Sequence, residues 1–248
     1  MINAYQEVGA AIKYLDFLNS QNGQIQQNVL YEAILPHLPK SSEAKILDAG
    51  CGPGWLAGRL QKHFKTIEAC DSSPLLIKFA KTRYPEAVFK EAGLEKPLPY
   101  PPAYFDAIIL NMVGPDLQNL NPALKNISEI LKPNGKLIMT VPNPTLSFPA
   151  AVWHRSLMDR IFGRKPKLII KNPPQGGVNI NREFCPGAKI VSYYYTLNNY
   201  VQAAKNSKLE QTTIVEIRST TDSRKFDLNY QLYRYPLLLL LEFKKIGQ

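Results

Sequence analysis

The stretch ILDAGCGPG, Ile46 to Gly54, constrains this chain more than any other part of it. A short apolar run ends in Asp48, Gly50, Gly52 and Gly54 follow at alternate positions, and a helix-compatible segment runs on to Phe64. Glycine lets the backbone turn sharply and lets a ligand approach it closely. The helix N-terminus behind such a loop offers unpaired N–H groups and positive potential to a carboxylate or phosphate. A strand, a glycine loop and a helix in this order make a ligand-binding turn, and that turn needs a sheet around it.

The rest of the chain supplies the sheet. Residues 24–38 set Ile25, Val29, Leu30, Ala33, Ile34 and Leu38 at helical offsets, a helix ahead of the first strand. Strands are expected at Lys45–Ala49, Thr66–Asp71, Ala87–Lys90, Phe105–Leu110 and Lys136–Val141. Between them, helices are expected at Gly54–Phe64, from Pro74 to Arg83 behind a Ser73 cap, and at Pro122–Leu131. Lys132-Pro133-Asn134-Gly135 reads as a stop-and-turn before the fifth strand. A helix at Leu197–Ser207 and strands near Leu209–Arg218 and Gln231–Phe243 complete the alternation. The implied fold is α/β: a Rossmann-like, doubly wound, mostly parallel seven-stranded sheet in one domain over residues 1–248, with an N-terminal helical segment at 1–40.

The rhythm breaks after Pro142. Residues 144–192 hold many of the prolines, the Gln175-Gly176-Gly177 turn and a basic, helix-like stretch, and form an insertion after the fifth strand. The bulk properties are those of an ordinary globular chain, 45% hydrophobic and 20% charged with a formal net charge of +10. No apolar run approaches bilayer length, and Glu7, Lys13 and Asp16 interrupt the start as no secretory signal would allow. Cys51, Cys70 and Cys185 are odd in number and widely spaced, which suggests neither a disulfide framework nor a zinc site. The expectation is a cytoplasmic protein without a metal.

Two nucleoside cofactors use the turn at Gly50. An acid about twenty residues on, at the end of the second strand, can bind ribose hydroxyls, and Asp71 stands there. A dinucleotide fingerprint wants a third small residue to pack helix on strand. Counting from Gly50 and Gly52, that position is Trp55, a poor fit.

Four stretches together resemble the class I S-adenosylmethionine-dependent methyltransferases, especially the small-molecule branch with the quinone-biosynthesis enzymes. ILDAGCGPGWLAGRL is similar to that family's first motif, IEACDSSPLLIKFAK to its second-strand motif, LEKPLPYPPAYFDAIILNMV to the approach and fourth strand, and LKPNGKLIMTVPNP to the fifth. The likeness resumes at YYYTLNNYVQAAKNSKLEQTTIVEI and ends with YPLLLLLEFKK, leaving out the insertion. The resemblance implies S-adenosyl-L-methionine as cofactor. It places Gly50, Cys51 and Gly52, with Asp48 before them, at the methionine portion, Asp71 on the ribose, and Ser72 beside the adenosine. It places Leu94 against the adenine, Asn111 and Met112 along the site after the fourth strand, and Tyr14 over the cofactor. One departure stands out: many family members carry Asp where this chain has Gly93, so Glu91 or a backbone carbonyl would have to meet the adenine amino group. Cys51 also reads as a small residue in a tight turn, Asp48 as a brace for the loop, and Asp71 as a helix cap.

Methyl transfer from a sulfonium is an in-line displacement by an already activated donor, with S-adenosylhomocysteine as product, so the protein acts mainly by alignment and exclusion of water. No catalytic residue can be named from the sequence. Asn172-Pro173-Pro174 lies in the insertion, away from the fourth strand, and reads as a turn; Cys185-Pro186 reverses the order of an RNA cytosine methyltransferase nucleophile. His37, His63 and His154 are scattered, and His154 reads as a surface residue. Within 154–171, six Lys or Arg residues face Asp159 alone, and Val152, Trp153, Leu157, Ile161 and Phe162 recur at roughly helical spacing. This stretch is either a basic lid over the substrate or a contact with a membrane surface. Tyr193-Tyr194-Tyr195 is a candidate aromatic wall for the acceptor. The acceptor expected is a small or lipid-like molecule; RNA or protein ranks lower for want of an RNA-binding module, and a non-catalytic protein binding an adenosyl ligand stays open.

Overall fold

The computed structural model describes residues 8–172, 174–185, 188–223, 225 and 227–247; along 182–185 and 188–190 it describes the backbone. Pro173 and Pro186, and with them the readings of their motifs, lie outside the described residues. Two helices, α1 (Val8–Asn19) and α2 (Gln21–Ile34), precede the sheet. Ser20 separates them and caps α2, its hydroxyl accepting from the Gly23 N–H at 3.2 Å. Alternation then follows: β1 (Ile46–Ala49), α3 (Trp55–Leu60), β2 (Ile67–Asp71), α4 (Pro74–Arg83), β3 (Val88–Glu91), β4 (Phe105–Asn111), α5 (Leu120–Ile130) and β5 (Leu131–Pro142). Helix α4 begins where the sequence placed it, with Ser73 as cap and Pro74 at its first position.

The last part of the chain holds α7 (Leu197–Asn206), β10 (Leu209–Ile217), α8 (Leu228–Arg234) and β11 (Leu238–Lys245). One seven-stranded sheet results, in the order β10-β11-β5-β4-β1-β2-β3. Strands β1 to β5 run parallel to one another, and β11 is antiparallel to both neighbours. The order reverses between β1 and β4, and in such sheets the crevice at the carboxyl ends of those strands receives the ligand.

Side chains alternate between two cores. Leu47, Ala49, Ile108, Leu110, Leu137, Met139, Leu239 and Leu241 pack under α5 and α7, while Ile46, Ala69, Ala107, Ile109, Ile138 and Leu240 pack under α2, α3 and α4. Every residue of β1 is buried, as expected of a strand covered on both faces.

Three expectations need correction. The last strand does not start at Gln231: residues 228–234 form α8, capped by the Asp227 carboxylate on the Tyr230 N–H at 3.0 Å, and the strand begins at Leu238. A side-chain cap and the break at Pro236 outweigh the aromatic composition of this segment. The Lys132–Gly135 turn is absorbed into β5 as a bulge: the ladder steps from Phe105–Leu131 to Ala107–Lys136, and Asn134 takes the left-handed conformation with φ 64°.

The third correction concerns the insertion. Its basic stretch is not one amphipathic helix but a hairpin of β6 (Ala151–His154) and β7 (Lys167–Ile170), joined through the short α6 (Leu157–Ile161). Gly163 at φ 63° and Pro166 end the helix within two turns. A second hairpin, β8 (Val178–Cys185) with β9 (Ala188–Tyr194), brings the chain back to the main sheet. No helix among the described residues is long and apolar enough to cross a membrane.

Candidate active site

The turn after β1 is fixed by backbone. The N–H groups of Gly50 and Cys51 both donate to the Cys70 carbonyl, at 2.7 and 2.9 Å, tying the loop to the end of β2. Gly50, Gly52 and Gly54 take φ values of 74°, 53° and 80°, a region that a side chain makes costly. At Gly50 sterics add to this, because a Cβ would lie 2.5 Å from the Val113 side chain.

Asp71 closes the loop from the side. One carboxylate oxygen accepts from the Gly52 N–H and the other from the Ser73 N–H, each at 2.8 Å. Each oxygen keeps capacity for a second hydrogen bond, which a ribose diol could use. Burial raises the Asp71 pKa against these stabilising N–H groups. Ser72, half-buried, follows at the start of the turn into α4.

Asp48 sits deeper, 1% exposed, and neither of its oxygens makes a hydrogen bond of ordinary geometry. Burial lifts its pKa to about 7; the approach of the Ala57 N–H opposes the shift and the charge of Asp71 adds to it. A buried acid without a formed partner next to a glycine turn suits a cationic ligand group. Cys51 is buried as well, and burial, with the nearby Asp48 and Asp71, holds its thiol well above the usual range, so it is no nucleophile here.

Tyr14 of α1 covers the loop. A Cβ on Gly52 would lie 3.5 Å from its ring. Burial, followed by Asp116, Asp71, Asp48 and Cys51, raises the phenol's pKa. Leu94 is buried in the loop after β3, which Asn126 holds by donating to the carbonyls of Leu94 and Lys96 at 2.9 and 2.8 Å. Glu91 is exposed at the end of β3, and around Gly93 a Cβ would meet only the Ser72 Cβ, at 3.9 Å.

Asn111 and Met112 stand at the end of β4. The Thr140 hydroxyl donates to Asn111 Oδ1 at 2.7 Å, and the Met112 N–H donates to the Thr140 carbonyl at 2.9 Å. Met112 is held at φ 63°, an uncommon conformation for a non-glycine residue. Thr140 and Val113 escaped the sequence reading, for nothing local marks a strand threonine that braces a neighbouring strand. The nine expected residues between Asp48 and Met112 thus gather at the carboxyl ends of β1, β2 and β4 and the loop after β3, with Tyr14 brought over them from α1.

Beyond Val113 lies a second space. A cavity of about 160 Å³ is lined by Pro115, Pro142, Phe148, Ile180, Tyr193 to Tyr195 and Tyr200, among others. Two of its hydroxyls are engaged: Tyr194 donates to the Pro144 carbonyl at 2.9 Å, and Tyr195 to the carbonyls of Leu117 and Gln118 at 2.9 and 2.8 Å. Burial pushes the Tyr195 phenol up to about 12, with Glu95 and Tyr193 adding to it, so it keeps its proton at neutral pH. Tyr193 and Tyr195 stack with centroids 6.3 Å apart. Gly114 lets Tyr200 close in, since a Cβ there would fall 2.8 Å from that ring. The segment 113–116 therefore touches the glycine loop through Val113 and forms a wall of the cavity through Pro115.

The chain is similar to known proteins in sequence and fold. Residues 47–139 match the methyltransferase domain family. The chain is 28% identical over 156 residues to an uncharacterised methyltransferase of Mycobacterium tuberculosis, covering 59% of this chain and 78% of that one. It is 26% identical over 151 residues to a malonyl-[acyl-carrier protein] O-methyltransferase of Erwinia pyrifoliae, covering 60% of this chain and 57% of the relative. The fold superposes on an S-adenosylmethionine-dependent methyltransferase of Mesorhizobium loti with a TM-score of 0.70 at 20% identity, over 89% of this chain and 99% of that one.

Proposed function

We propose that this chain, a class I S-adenosylmethionine-dependent methyltransferase, methylates a small-molecule or lipid-like acceptor held in the tyrosine-lined cavity. The observation that carries this reading is the shared wall. Val113 abuts Gly50 in the glycine loop, and its neighbour Pro115 lines the cavity, so the cavity adjoins the cofactor turn and an acceptor in it would meet the methyl group at the edge of this segment. A cavity of about 160 Å³ with aromatic walls suits part of a small flat or apolar molecule and not a folded macromolecule. The relative from Erwinia pyrifoliae, named a malonyl-[acyl-carrier protein] O-methyltransferase, adds weight to an acyl-type acceptor group.

Bound S-adenosyl-L-methionine supplies a methyl group on a sulfonium sulfur and leaves as S-adenosylhomocysteine. On the side of the protein, Asp71 and Ser72 would hold the ribose, Asp48 and the loop of Gly50, Cys51 and Gly52 would meet the methionine end, and Leu94 would flank the adenine. Asn111 and Met112, at the end of β4, would line the site, and Tyr14 would keep water from above. The cavity's aromatic walls would orient the acceptor, so transfer rests on alignment and dryness.

Calorimetry with S-adenosylhomocysteine, followed by incubation with methyl-labelled cofactor and an acceptor panel, tests the reading. The panel holds short carboxylic acids, acyl thioesters, phenols and isoprenoids, set against transfer RNA and a protein mixture. Label in a small molecule supports it; label in RNA or protein alone would overturn it.

A further inference from the structure

We infer that the β6–β7 hairpin is a docking surface for an anionic lipid bilayer, with the tip around α6 entering the interface. Four large apolar side chains crowd this tip without cover: Leu157 at 72% exposure, Met158 at 56%, Ile161 at 64% and Phe162 at 62%. At about 100° per residue they share one arc of ~140°. The opposite side of the turn carries Asp159, which is 7% exposed. Elsewhere, exposed large apolar residues are scattered along single elements, and such isolated exposure is ordinary.

The charge around the tip is predominantly positive. Cations outnumber the one acid there: Arg160, Arg164, Lys167 and Lys171 are exposed, while the Asp159 carboxylate accepts from the Ser156 hydroxyl at 2.7 Å and the Ser156 N–H at 3.2 Å and lies 4.0 Å from Arg164 Nη1. Lys165 is turned back to the body, donating to the Ser223 carbonyl at 3.1 Å with its ammonium 3.8 Å from the Tyr230 ring centroid. The Trp153 ring packs edge-on against Tyr235, centroids 5.5 Å apart. The hairpin is thus anchored at its base and bare at its end.

An apolar tip ringed by cations complements a surface that is anionic outside and apolar beneath. A second copy of the same patch would meet it with like charge, which disfavours self-association through this face. Phe148, 53% exposed and three residues before β6, also lines the acceptor cavity. Docking of the hairpin therefore brings the cavity mouth toward the lipid.

Sedimentation of the full chain with vesicles tests this. Vesicles of phosphatidylcholine with phosphatidylserine should retain the protein and vesicles of phosphatidylcholine alone should not. The triple change Arg160→Glu, Arg164→Glu and Lys167→Glu should weaken retention about a hundredfold, at roughly fivefold or more per charge. The pair Ile161→Ser and Phe162→Ser should abolish retention with little change in melting temperature, because both side chains are largely exposed and the Phe162 ring meets only the flexible Arg164 guanidinium, 5.6 Å from its centroid. No retention on anionic vesicles, retention that both variants leave unchanged, or capture of RNA in place of vesicles overturns the proposal. Asp71→Ala, weakened in S-adenosylhomocysteine binding, should still sediment with vesicles, so this test and that of the methyltransfer reading fail separately.

Discussion

The two sides of the 113–116 wall are built by opposite means. On the side of β1, the geometry comes from backbone: three glycines at positive φ, two N–H groups on the Cys70 carbonyl, and a carboxylate bridging Gly52 and Ser73. On the other side it comes from aromatic rings carried by β9 and α7 against residues fifty or more positions earlier, as with Tyr194 on Pro144 and Tyr195 on Leu117. The first kind of site accepts one ligand shape and tolerates few substitutions. The second can be relined without disturbing the sheet, so acceptor choice can change while the cofactor side stays fixed.

The hardest test of this contrast is Gly50→Ala. Left-handed backbone costs a non-glycine residue about 1–2 kcal/mol, and overpacking against Val113 about 1–3 more. A stability loss of ~2–5 kcal/mol in urea unfolding, with loss of S-adenosylhomocysteine binding, is expected. A variant that binds normally would show that the loop is softer than its geometry implies. Asp71→Ala should come next, with affinity for S-adenosylhomocysteine falling ~10–100-fold in calorimetry as hydrogen bonds to a charged acceptor are lost. Unchanged affinity would remove Asp71 from the ribose site.

Across the wall the readout should switch. Tyr195→Phe removes a hydroxyl shared between two carbonyls, worth ~1–2 kcal/mol. Acceptor kcat/KM should fall about tenfold while S-adenosylhomocysteine affinity stays within twofold of the parent, taking 1.4 kcal/mol per tenfold. If cofactor affinity falls equally, the two spaces are one site and the contrast is lost.

Legibility in the sequence follows the same divide. The turn at Gly50, the acid at Asp71 and the Ser73 cap of α4 are local: a few neighbouring residues determine each, and all three appear where the pattern placed them. The mostly parallel, doubly wound sheet followed from the alternation of strands and helices, whereas the strand order emerges only in the fold. Thr140 and Tyr200 were invisible as site residues because their roles arise only when β5 lies beside β4 and α7 closes on Gly114. The hairpin at 151–170 misled for a related reason. Its apolar spacing fits a helix, but Gly163 and Pro166 cut the helix short, and Leu157, Ile161 and Phe162 face outward.

A smaller effect probes the buried acid. The pKa of Asp48 is raised in the fold from 3.8 to about 7, so the native state holds that proton more tightly than the unfolded chain does. Its contribution to stability is therefore complete below pH ~4 and is lost as pH rises to about 7. Asp48→Asn should flatten that part of the stability profile, the variant gaining on the parent between pH 4 and 8. Equal slopes in urea melts across this range would mean that Asp48 is ionised throughout.

The smallest change runs toward gain. Gly93 sits where the resemblance expects an acid for the adenine amino group, and its backbone is not in the left-handed region. A Cβ there meets nothing closer than 3.9 Å, so Gly93→Asp should fold unaltered. Glu91, at the exposed end of β3, is poorly placed to act in its stead. One added hydrogen bond of about 0.5–1.5 kcal/mol should tighten S-adenosylhomocysteine binding about two- to tenfold. The tightening should vanish for an analogue lacking the adenine amino group, while acceptor kcat/KM at saturating cofactor stays unchanged. Tightening that survives in that analogue would place the new carboxylate elsewhere and leave the adenine contact to the backbone. A response confined to cofactor binding would mean that the cofactor side can be improved without the cavity registering it, which is the sharpest form of the contrast across the wall.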